Sequence, residues 1–511
     1  MTHTPNTIAS LFETSVSKNG SSPIIIFDDG SSLSYSEAGV LAKDVAGRLQ
    51  AAGIMKGDRV VSISRASAEA AVVFWASALA GAVFVPVDYA LSTDALPAII
   101  KRAGPKIIFL GRESTRSEEP AGIETISYGP ESDPRLKSFS AWLDEGGKDY
   151  RAGPVSPEDD AAILFTSGTS GLPKGVVLSN AALCGSGRLV SEVYGWTGKD
   201  RILCTGDFHT MSGLRNPCVA ALRAGSSFII APENVRKNAA AASELMEKTG
   251  TTVLCTVPAF LAQFVLFPER VSSHFVKELR LVMCTGSSLP ESMAEKFEML
   301  FGRPVLNYYG LTETAGFCIG VPPGRELDFR GTIGIPAGCA TKIIASGGRE
   351  AAEGETGELF IKTENLMSGY FGEPEATAEV VKDGWYKTAD LCRTRPDGSI
   401  ELIGRADDAF KDARGELVHP AQIERAIESS PLVIEAAVCA LGAEGGRPVI
   451  EAFVVPRNPS GEKRKITEEL KRHCLAVLGH NRTPADFRLV DSLPRGTNGK
   501  LLRRKLKEAC L

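Results

Sequence analysis

No stretch of this 511-residue sequence approaches the roughly 18 consecutive apolar residues that a membrane-spanning helix requires. The polar start, Met1-Thr-His-Thr-Pro-Asn-Thr7, lacks the apolar core of a signal peptide, so a cytoplasmic chain without a membrane span is expected. There is no long basic run, and a net charge of −5 argues against nucleic acid as a main partner. His-Glu-x-x-His, Gly-x-Ser-x-Gly and Gly-x-Gly-x-x-Gly are all missing, which leaves zinc-protease, hydrolase-elbow and dinucleotide readings without support. Cys-x-x-Cys is missing too. The 11 cysteines are an odd number, scattered through apolar surroundings such as Leu254-Cys255-Thr256 and Val438-Cys439-Ala440, and read as reduced core thiols rather than disulfides or zinc ligands. No internal repeat or low-complexity tract is found.

What is present is globular. A hydrophobic fraction of 43% with 23% charged residues suits a soluble protein, and the length calls for two or more domains. Near the start, an apolar strand over 24–27 meets a turn at Asp28-Asp29-Gly30, and Ser34 or Ser36 caps a helix striped by Ala46, Leu49 and Ala52. A turn at Gly57-Asp58-Arg59 leads into a strand over 60–64, then a helix through Val73, Trp75 and Leu79 that ends at Gly81, then a strand at Val83–Val87. Strands alternating with helices at this spacing imply a mainly parallel sheet with helices on its faces. Residues 112–151 are polar and weakly periodic and are expected to be irregular. Strands follow near 227–231, 252–257, 279–284 and 304–308, separated by helical stretches such as Ala239–Thr249. Ligands gather at the C-terminal ends of strands in such sheets.

After Gly331 short strands with Gly and Pro punctuation, over 341–345, 357–362 and 384–390, read as a small β subdomain with a hairpin at Asp397-Gly398. At Gly404-Arg405-Ala406-Asp407-Asp408 the order changes to a helix over 420–429, strands over 436–441 and 449–455, a helix over 467–477 and a basic tail. The expected organisation is α/β: a large domain, 1–406, of mainly parallel sheets with packed helices and the β subdomain, and a mobile α+β domain, 407–511, hinged near Asp407.

Two stretches carry chemistry. The first, Ile163-Leu-Phe-Thr-Ser-Gly-Thr-Ser-Gly-Leu-Pro-Lys-Gly175, runs from a buried-looking strand into a loop of hydroxyls and glycines. Thr166, Ser167, Thr169 and Ser170 can donate to phosphate oxygens, Gly168, Gly171 and Gly175 allow close backbone approach, and Lys174 adds a mobile charge. Such a cluster standing alone is more often an ordinary surface turn. A Walker-type loop would need Gly at 173 and Ser or Thr at 175, where the chain has Pro173 and Gly175. The second, Asn307-Tyr-Tyr-Gly-Leu-Thr-Glu-Thr314, follows a buried strand and offers aromatic, hydroxyl and carboxylate groups where a nucleotide and its magnesium could sit. His209, in Gly206-Asp-Phe-His-Thr-Met-Ser-Gly213, reads by itself as a packed or surface histidine.

Thr166-Ser-Gly-Thr-Ser-Gly-Leu-Pro-Lys-Gly175 closely resembles the phosphate loop of the adenylate-forming superfamily: acyl- and aryl-CoA synthetases, peptide-synthetase adenylation domains and luciferases. Tyr309-Gly-Leu-Thr-Glu313 is similar to its Tyr-Gly-x-Thr-Glu signature, and further matches follow in the family's order. The resemblance implies that residues 166–171 with Lys174 hold the β- and γ-phosphates of ATP, that Thr312 contacts the α-phosphate, and that Glu313 holds Mg²⁺. It places Tyr309, Gly286, Ser287 and Ser288 around the adenine, with Tyr308 and Gly310 in the same nucleotide site. It gives Asp390 the ribose hydroxyls and Arg405 a nucleotide contact beside the hinge at Asp407, and it makes Leu493-Pro-Arg-Gly-Thr-Asn-Gly-Lys500 the loop of the catalytic Lys500. Two departures stand out. Ala389 replaces the usual glycine before Asp390, which a negative φ would tolerate, and Lys411-Asp-Ala-Arg-Gly415 is one residue longer than the usual Lys-x-x-Gly, leaving Gly415 without a secure place in a thiol tunnel.

The activity so implied joins a small carboxylic acid to AMP with release of pyrophosphate, then passes the acyl group to the thiol of CoA or of a carrier-protein phosphopantetheine. His209 stands where amino-acid-activating relatives carry aspartate, which disfavours an α-amino acid. His209, Met211, Ser212, Gly213, Gly286 and Tyr308 are the expected pocket walls; Arg215 and Asn216 give the pocket a polar end, or Arg215 forms a surface salt bridge. Gln263 stands where malonate-activating relatives carry arginine, which argues against malonate. A luciferase-like oxidative step has no marker in the sequence, and a non-catalytic acyl-nucleotide sensor sits badly with Lys500 and Glu313.

Overall fold

The computed structural model describes residues 5–91, 95–111, 122–129, 136–166, 173–325, 329–411, 417–442, 448–457, 462–495 and 501–508. Local signals do what their chemistry dictates. Ser34 Oγ accepts from the Glu37 amide and the Glu37 carboxylate accepts from the Ser34 amide, a reciprocal cap on helix Tyr35–Ala51. Helix Ala68–Ala80 is capped by Ser67, stops at Gly81, and leads at once into the fully buried strand Val83–Val87.

Two sheets result, both mainly parallel. One runs, edge to edge, through Gly369–Tyr370, Lys174–Ser179, Asp160–Thr166, Val83–Val87, Arg59–Ile63, Ile107–Leu110, Glu124–Ser127 and Lys137–Ser138, with antiparallel pairing only at Lys174–Ser179. The other orders Ile335–Pro336, Gly316–Gly320, Val305–Leu311, Leu281–Cys284, Val253–Thr256, Arg201–Cys204, Ser227–Ile229, Pro23–Ile26 and Ser32–Ser34. Helix Ala68–Ala80 lies between them. Phe74 meets Phe84 of the first sheet edge-on at 5.4 Å, while Trp75 meets Phe228 of the second at 6.3 Å and donates its indole N–H to the Cys218 carbonyl at 3.1 Å. This is why that helix reads as apolar on every side rather than striped.

Residues 112–151 are not irregular throughout, contrary to expectation. Strands Glu124–Ser127 and Lys137–Ser138 extend the first sheet, and helix Phe139–Asp144 packs Trp142, fully buried, edge-on against Phe109 at 5.5 Å. These elements are too short to build a periodic signal, and their order comes from the aromatic cluster they join. The ten described cysteines are all free, in line with reduced thiols.

Beyond Gly331, Cys339–Ile344, Gly357–Thr363, Trp385–Thr394, Val381–Lys382 and Ile400–Arg405 form an antiparallel sheet, its last hairpin turning at Asp397-Gly398. The C-terminal part folds helices Pro420–Glu428 and Lys463–Leu478 onto strands Val433–Gly442, Pro448–Pro456 and Asp486–Leu489, around Ile423, Ile427, Val438, Ala452, Val454 and Leu470. The chain is thus a mixed α/β protein with a large N-terminal sheet-and-helix domain and a smaller C-terminal domain.

The backbone corrects one expectation sharply. Ala389 adopts φ +59°, the left-handed region, not the negative φ its side chain prefers. Its carbonyl accepts from the Ala406 amide at 2.9 Å, and a bulge follows between Leu391 and Cys392, so pairing to the next strand holds the strained residue in place. Ala389→Gly is expected to stabilise the fold by about 0.5–1 kcal/mol, the left-handed penalty less the extra unfolded-state entropy of glycine, read as a higher melting temperature. A second expectation concerns Glu428, whose carboxyl burial pushes up from 4.5 to about 8, while its oxygen accepts from the Ala436 amide at 3.1 Å. Between those values the unfolded chain releases the proton and the folded chain keeps it, so stability falls as pH rises. Glu428→Gln should abolish that slope and raise stability at pH 8 by on the order of 2 kcal/mol, measured by unfolding at pH 5 and pH 8.

Candidate active site

Four neighbouring parallel strands of the second sheet end side by side. Cys204 pairs with Cys255, Thr256 with Cys284, and Cys284 with Asn307, so the segments that leave these ends converge. They carry His209 to Gly213, Gly286 to Ser288, and Tyr308 to Glu313. Gly286 is at φ +92°, and it and Ser288 are exposed while Ser287 is half-buried, leaving a polar rim at the strand end. Thr210 caps the short helix Met211–Arg215, turning Met211 and Gly213 inward and leaving Ser212 half-buried. His209 is 11% exposed; among the described residues neither ring nitrogen has a hydrogen-bond partner, and Nε2 stands 3.8 Å from the Asp88 carboxylate.

Strand Val305–Leu311 delivers the second motif. It bulges between Tyr309 and Gly310, and Gly310 has no room for a side chain, because a Cβ there would lie 2.0 Å from the Gly316 carbonyl. A single 3₁₀ turn, Thr312–Thr314, then presents Thr312 and Glu313, with the Thr314 hydroxyl tying the turn to Leu311. The Glu313 backbone is fixed by the Met367 amide at 2.8 Å and its carboxylate accepts from the Tyr370 hydroxyl at 3.0 Å. On the face of that same ring sits Lys174 Nζ, 4.8 Å from the centroid. Thr166, paired with Lys174 across the hairpin, donates to its carbonyl at 3.4 Å. The first motif's Lys174 and the second motif's Glu313 therefore share one tyrosine.

The third element is a carboxylate. Asp390 is 5% exposed; Oδ2 accepts from the Tyr309 hydroxyl at 2.5 Å and Oδ1 from Arg405 Nη1 at 3.0 Å, while Arg405 Nη2 reaches Asp407 at 3.4 Å. Burial, and next to it the Asp390 charge, hold the Tyr309 hydroxyl well above its ordinary pKa, so it stays protonated and donates. Tyr370 and Tyr386 are raised as well, by burial first and then by Glu313; Tyr386 feels Glu313, Tyr370 and Asp390 together and so joins the two halves of the site.

The structure thus brings together Thr166, Lys174, Thr312, Glu313, Tyr309, Asp390 and Arg405, with His209, Met211 and Tyr308 at the neighbouring strand ends. Ser167, Gly168, Thr169, Ser170, Gly171, Gly415 and Lys500 lie outside the described residues. Arg215 is corrected: it is fully buried and forms no surface salt bridge. Gln263 accepts from the Ala239 amide at 3.2 Å and serves to start a helix. Sequence reasoning missed Tyr370, Tyr386 and Asp88. The tyrosines sit in β segments where an aromatic normally means packing, and no spacing links them to Lys174 or Glu313. Glu313 offers a single carboxylate, and Tyr370 is the one side chain bonded to it among the described residues. That fits Mg²⁺, which takes one or two carboxylates and completes its shell with water and phosphate oxygens.

The chain matches the family model of AMP-binding enzymes over residues 12–371 and that of the AMP-binding enzyme C-terminal domain over residues 422–500. It is 30% identical to a fatty acid–[acyl-carrier-protein] ligase of Streptomyces coeruleorubidus, across 94% of this chain and 92% of that protein. It is also 30% identical to a sulfoacetate–CoA ligase of Cupriavidus necator, across 94% and 93%. A benzoate CoA ligase from Burkholderia xenovorans LB400 superimposes with a TM-score of 0.89 at 25% identity, covering 98% of this chain and 99% of that one. With strand ends, motifs and family models in agreement over most of its length, the chain belongs to the AMP-binding enzymes, the adenylate-forming ligases.

Proposed function

We propose that this enzyme activates a carboxylic acid with ATP, forming acyl-AMP and pyrophosphate, and then transfers the acyl group to the thiol of CoA. The observation that carries this reading is the arrangement of Lys174 and Glu313 on one tyrosine beside the Tyr309–Asp390–Arg405 chain. A carboxylate cannot acylate a thiol directly, because oxide would have to leave. Attack of its oxygen on the α-phosphorus, with pyrophosphate departing in line, replaces oxide by AMP.

In this reading Asp390, held by Tyr309 and Arg405 in one orientation, accepts from both ribose hydroxyls and fixes the nucleoside. Gly286, Ser287, Ser288, Tyr308, Tyr309 and Gly310 border the adenine. Thr166 to Lys174 bind the β- and γ-phosphates, and Thr312 donates to the α-phosphate. Mg²⁺ on Glu313 would offset phosphate charge. His209, Met211, Ser212, Gly213, Gly286 and Tyr308 enclose the acid, and Lys500 bridges its carboxylate to ATP. Positioning and electrostatics carry the chemistry, with about 7–11 kcal/mol of proximity advantage as a ceiling. Thiol transfer needs other groups at the same carbonyl, and a domain boundary at 406–407 with rotation about Asp407 would withdraw Lys500 and bring them in. Arg405, bonded to both Asp390 and Asp407, supports a hinge whose setting depends on the nucleotide site.

The acid is a small one, aliphatic or aryl, in keeping with the sulfoacetate- and benzoate-activating relatives. The acyl-carrier-protein relative favours a second reading, in which the acceptor is a carrier-protein phosphopantetheine. Purified enzyme given ATP and a panel of acids, with thiol omitted, should release pyrophosphate only with its acid; CoA and a carrier protein offered separately then identify the acceptor. Silence across the whole panel would leave only a nucleotide sensor. Asp390→Ala is expected to raise KM for ATP about 10–100-fold, the worth of a hydrogen bond to a charged group. Lys500→Ala should abolish acyl-AMP formation yet leave transfer from supplied acyl-AMP to the thiol, and equal loss of both half-reactions would remove Lys500 from its role.

A further inference from the structure

Arg215 is 0% exposed, and a guanidinium cannot shed its proton. Its hydrogen-bond partners among the described residues are nonetheless all neutral. Nε and Nη2 both donate to Asn216 Oδ1, at 3.0 and 2.7 Å, Nη1 donates to Ser186 Oγ at 3.3 Å, and Nη2 to the Tyr308 hydroxyl at 3.4 Å. Among the described residues no carboxylate pairs with it. A buried charge without a counter-charge is costly, and folds retain one where something else completes it. The Nε–Nη2 edge is the fork that a carboxylate or sulfonate occupies with two oxygens, and here a single neutral oxygen spans it.

Two further observations point to a ligand. Among the described residues, Asn216 Nδ2 and the hydroxyl of Tyr194, a ring close enough to feel the Arg215 charge, are buried without a hydrogen-bond partner. The Tyr194 and Tyr308 rings are tilted against each other with their centroids 6.4 Å apart. The backbone also departs from α-helical form here: helix Met211–Arg215 passes into a π-helix at Asn216–Ala221, and such wide turns re-aim side chains at functional sites. Neighbouring helical residues ordinarily point apart, whereas here Arg215 and Asn216 meet.

The cluster adjoins the acid pocket. Met211 and Arg215 lie one turn apart on the same helical face, and both abut Gly316, where a Cβ would lie 2.7 Å from Arg215 Nη1 and 3.1 Å from Met211 Cγ. We propose that the acid activated by this enzyme carries a second anionic group, a carboxylate or sulfonate at the end remote from the adenylated carboxylate, bound by Arg215 with Asn216. This rests on the ligase reading above and makes Arg215 a specificity-determining residue.

The test is a length-matched acid series ending in methyl, hydroxyl, carboxylate or sulfonate, scored by pyrophosphate release for wild type, Arg215→Lys and Arg215→Gln. Wild type should favour a doubly anionic acid over its methyl-terminated match by about tenfold or more in kcat/KM, Arg215→Lys should keep part of that ratio, and Arg215→Gln should bring it near one. Methyl- or hydroxyl-terminated acids equal to or better than the anionic ones in wild type would overturn the proposal, as would an unchanged ratio in Arg215→Gln. The melting temperature, taken with a non-hydrolysable ATP analogue present, provides a readout that needs no turnover. Doubly anionic acids should raise it in wild type more than the methyl-terminated acids do, and Arg215→Gln should lose the difference. No such rise in wild type contradicts the proposal even if Arg215→Gln does not fold. Activity with methyl-terminated acids alone would sink this inference and keep the ligase, whereas a rise without any pyrophosphate release would keep the anion site and sink the ligase.

Discussion

A buried carboxylate can persist only where donors hold it, and the position of Asp390 sets much else. Its two oxygens are bonded from opposite sides, by Tyr309 at the end of the second parallel sheet and by Arg405 at the end of the β subdomain. Removing Arg405 would take away the cation that faces this buried charge, and removing the Tyr309 hydroxyl would cost it a short hydrogen bond. The subdomain is thereby locked to the sheet, the Tyr309 ring is fixed in place, and the same arginine extends to Asp407. Tyr309, 81 residues earlier in the chain, and the Arg405–Asp407 segment thus both depend on one ion.

The side of the site that carries Lys174 and Glu313 is organised by a weaker contact with a similar logic. Lys174 over the Tyr370 ring and the Tyr370 hydroxyl on Glu313 keep a cation and an anion close together without letting them neutralise each other. Each remains available to a ligand of opposite charge. Under the proposed function, a direct Lys174–Glu313 ion pair would have to be broken before ATP and its cation could bind. The intervening tyrosine holds the geometry while avoiding that cost.

Much of this was legible in the sequence. Strand–helix alternation gave the parallel sheets because continuous apolar runs such as Val83–Val87 are what a strand buried on both faces requires. The motifs, through their resemblance to those of the adenylate-forming family, singled out Lys174, Thr312, Glu313 and Asp390, which the structure sets around Tyr370 and Tyr309. What was hidden depends on tertiary neighbours. Tyr370 and Tyr386 look like sheet packing until Glu313 is placed beside them, and Phe139–Asp144 has too few residues to show a period. Ala389 was misjudged because a positive φ is imposed by pairing with the following strand, and the residue type argues the other way. Arg215 could not be assigned from sequence, since a buried arginine and a surface one share the same letters around them.

The account stands on direct attack of a carboxylate oxygen on the α-phosphorus of ATP. Acid labelled with ¹⁸O in both carboxyl oxygens, turned over with ATP and thiol, follows that bond by mass spectrometry. The account predicts one ¹⁸O atom in AMP and none in pyrophosphate. Label in inorganic phosphate, with ADP as the nucleotide product, would mean attack at the γ-phosphorus and would contradict it.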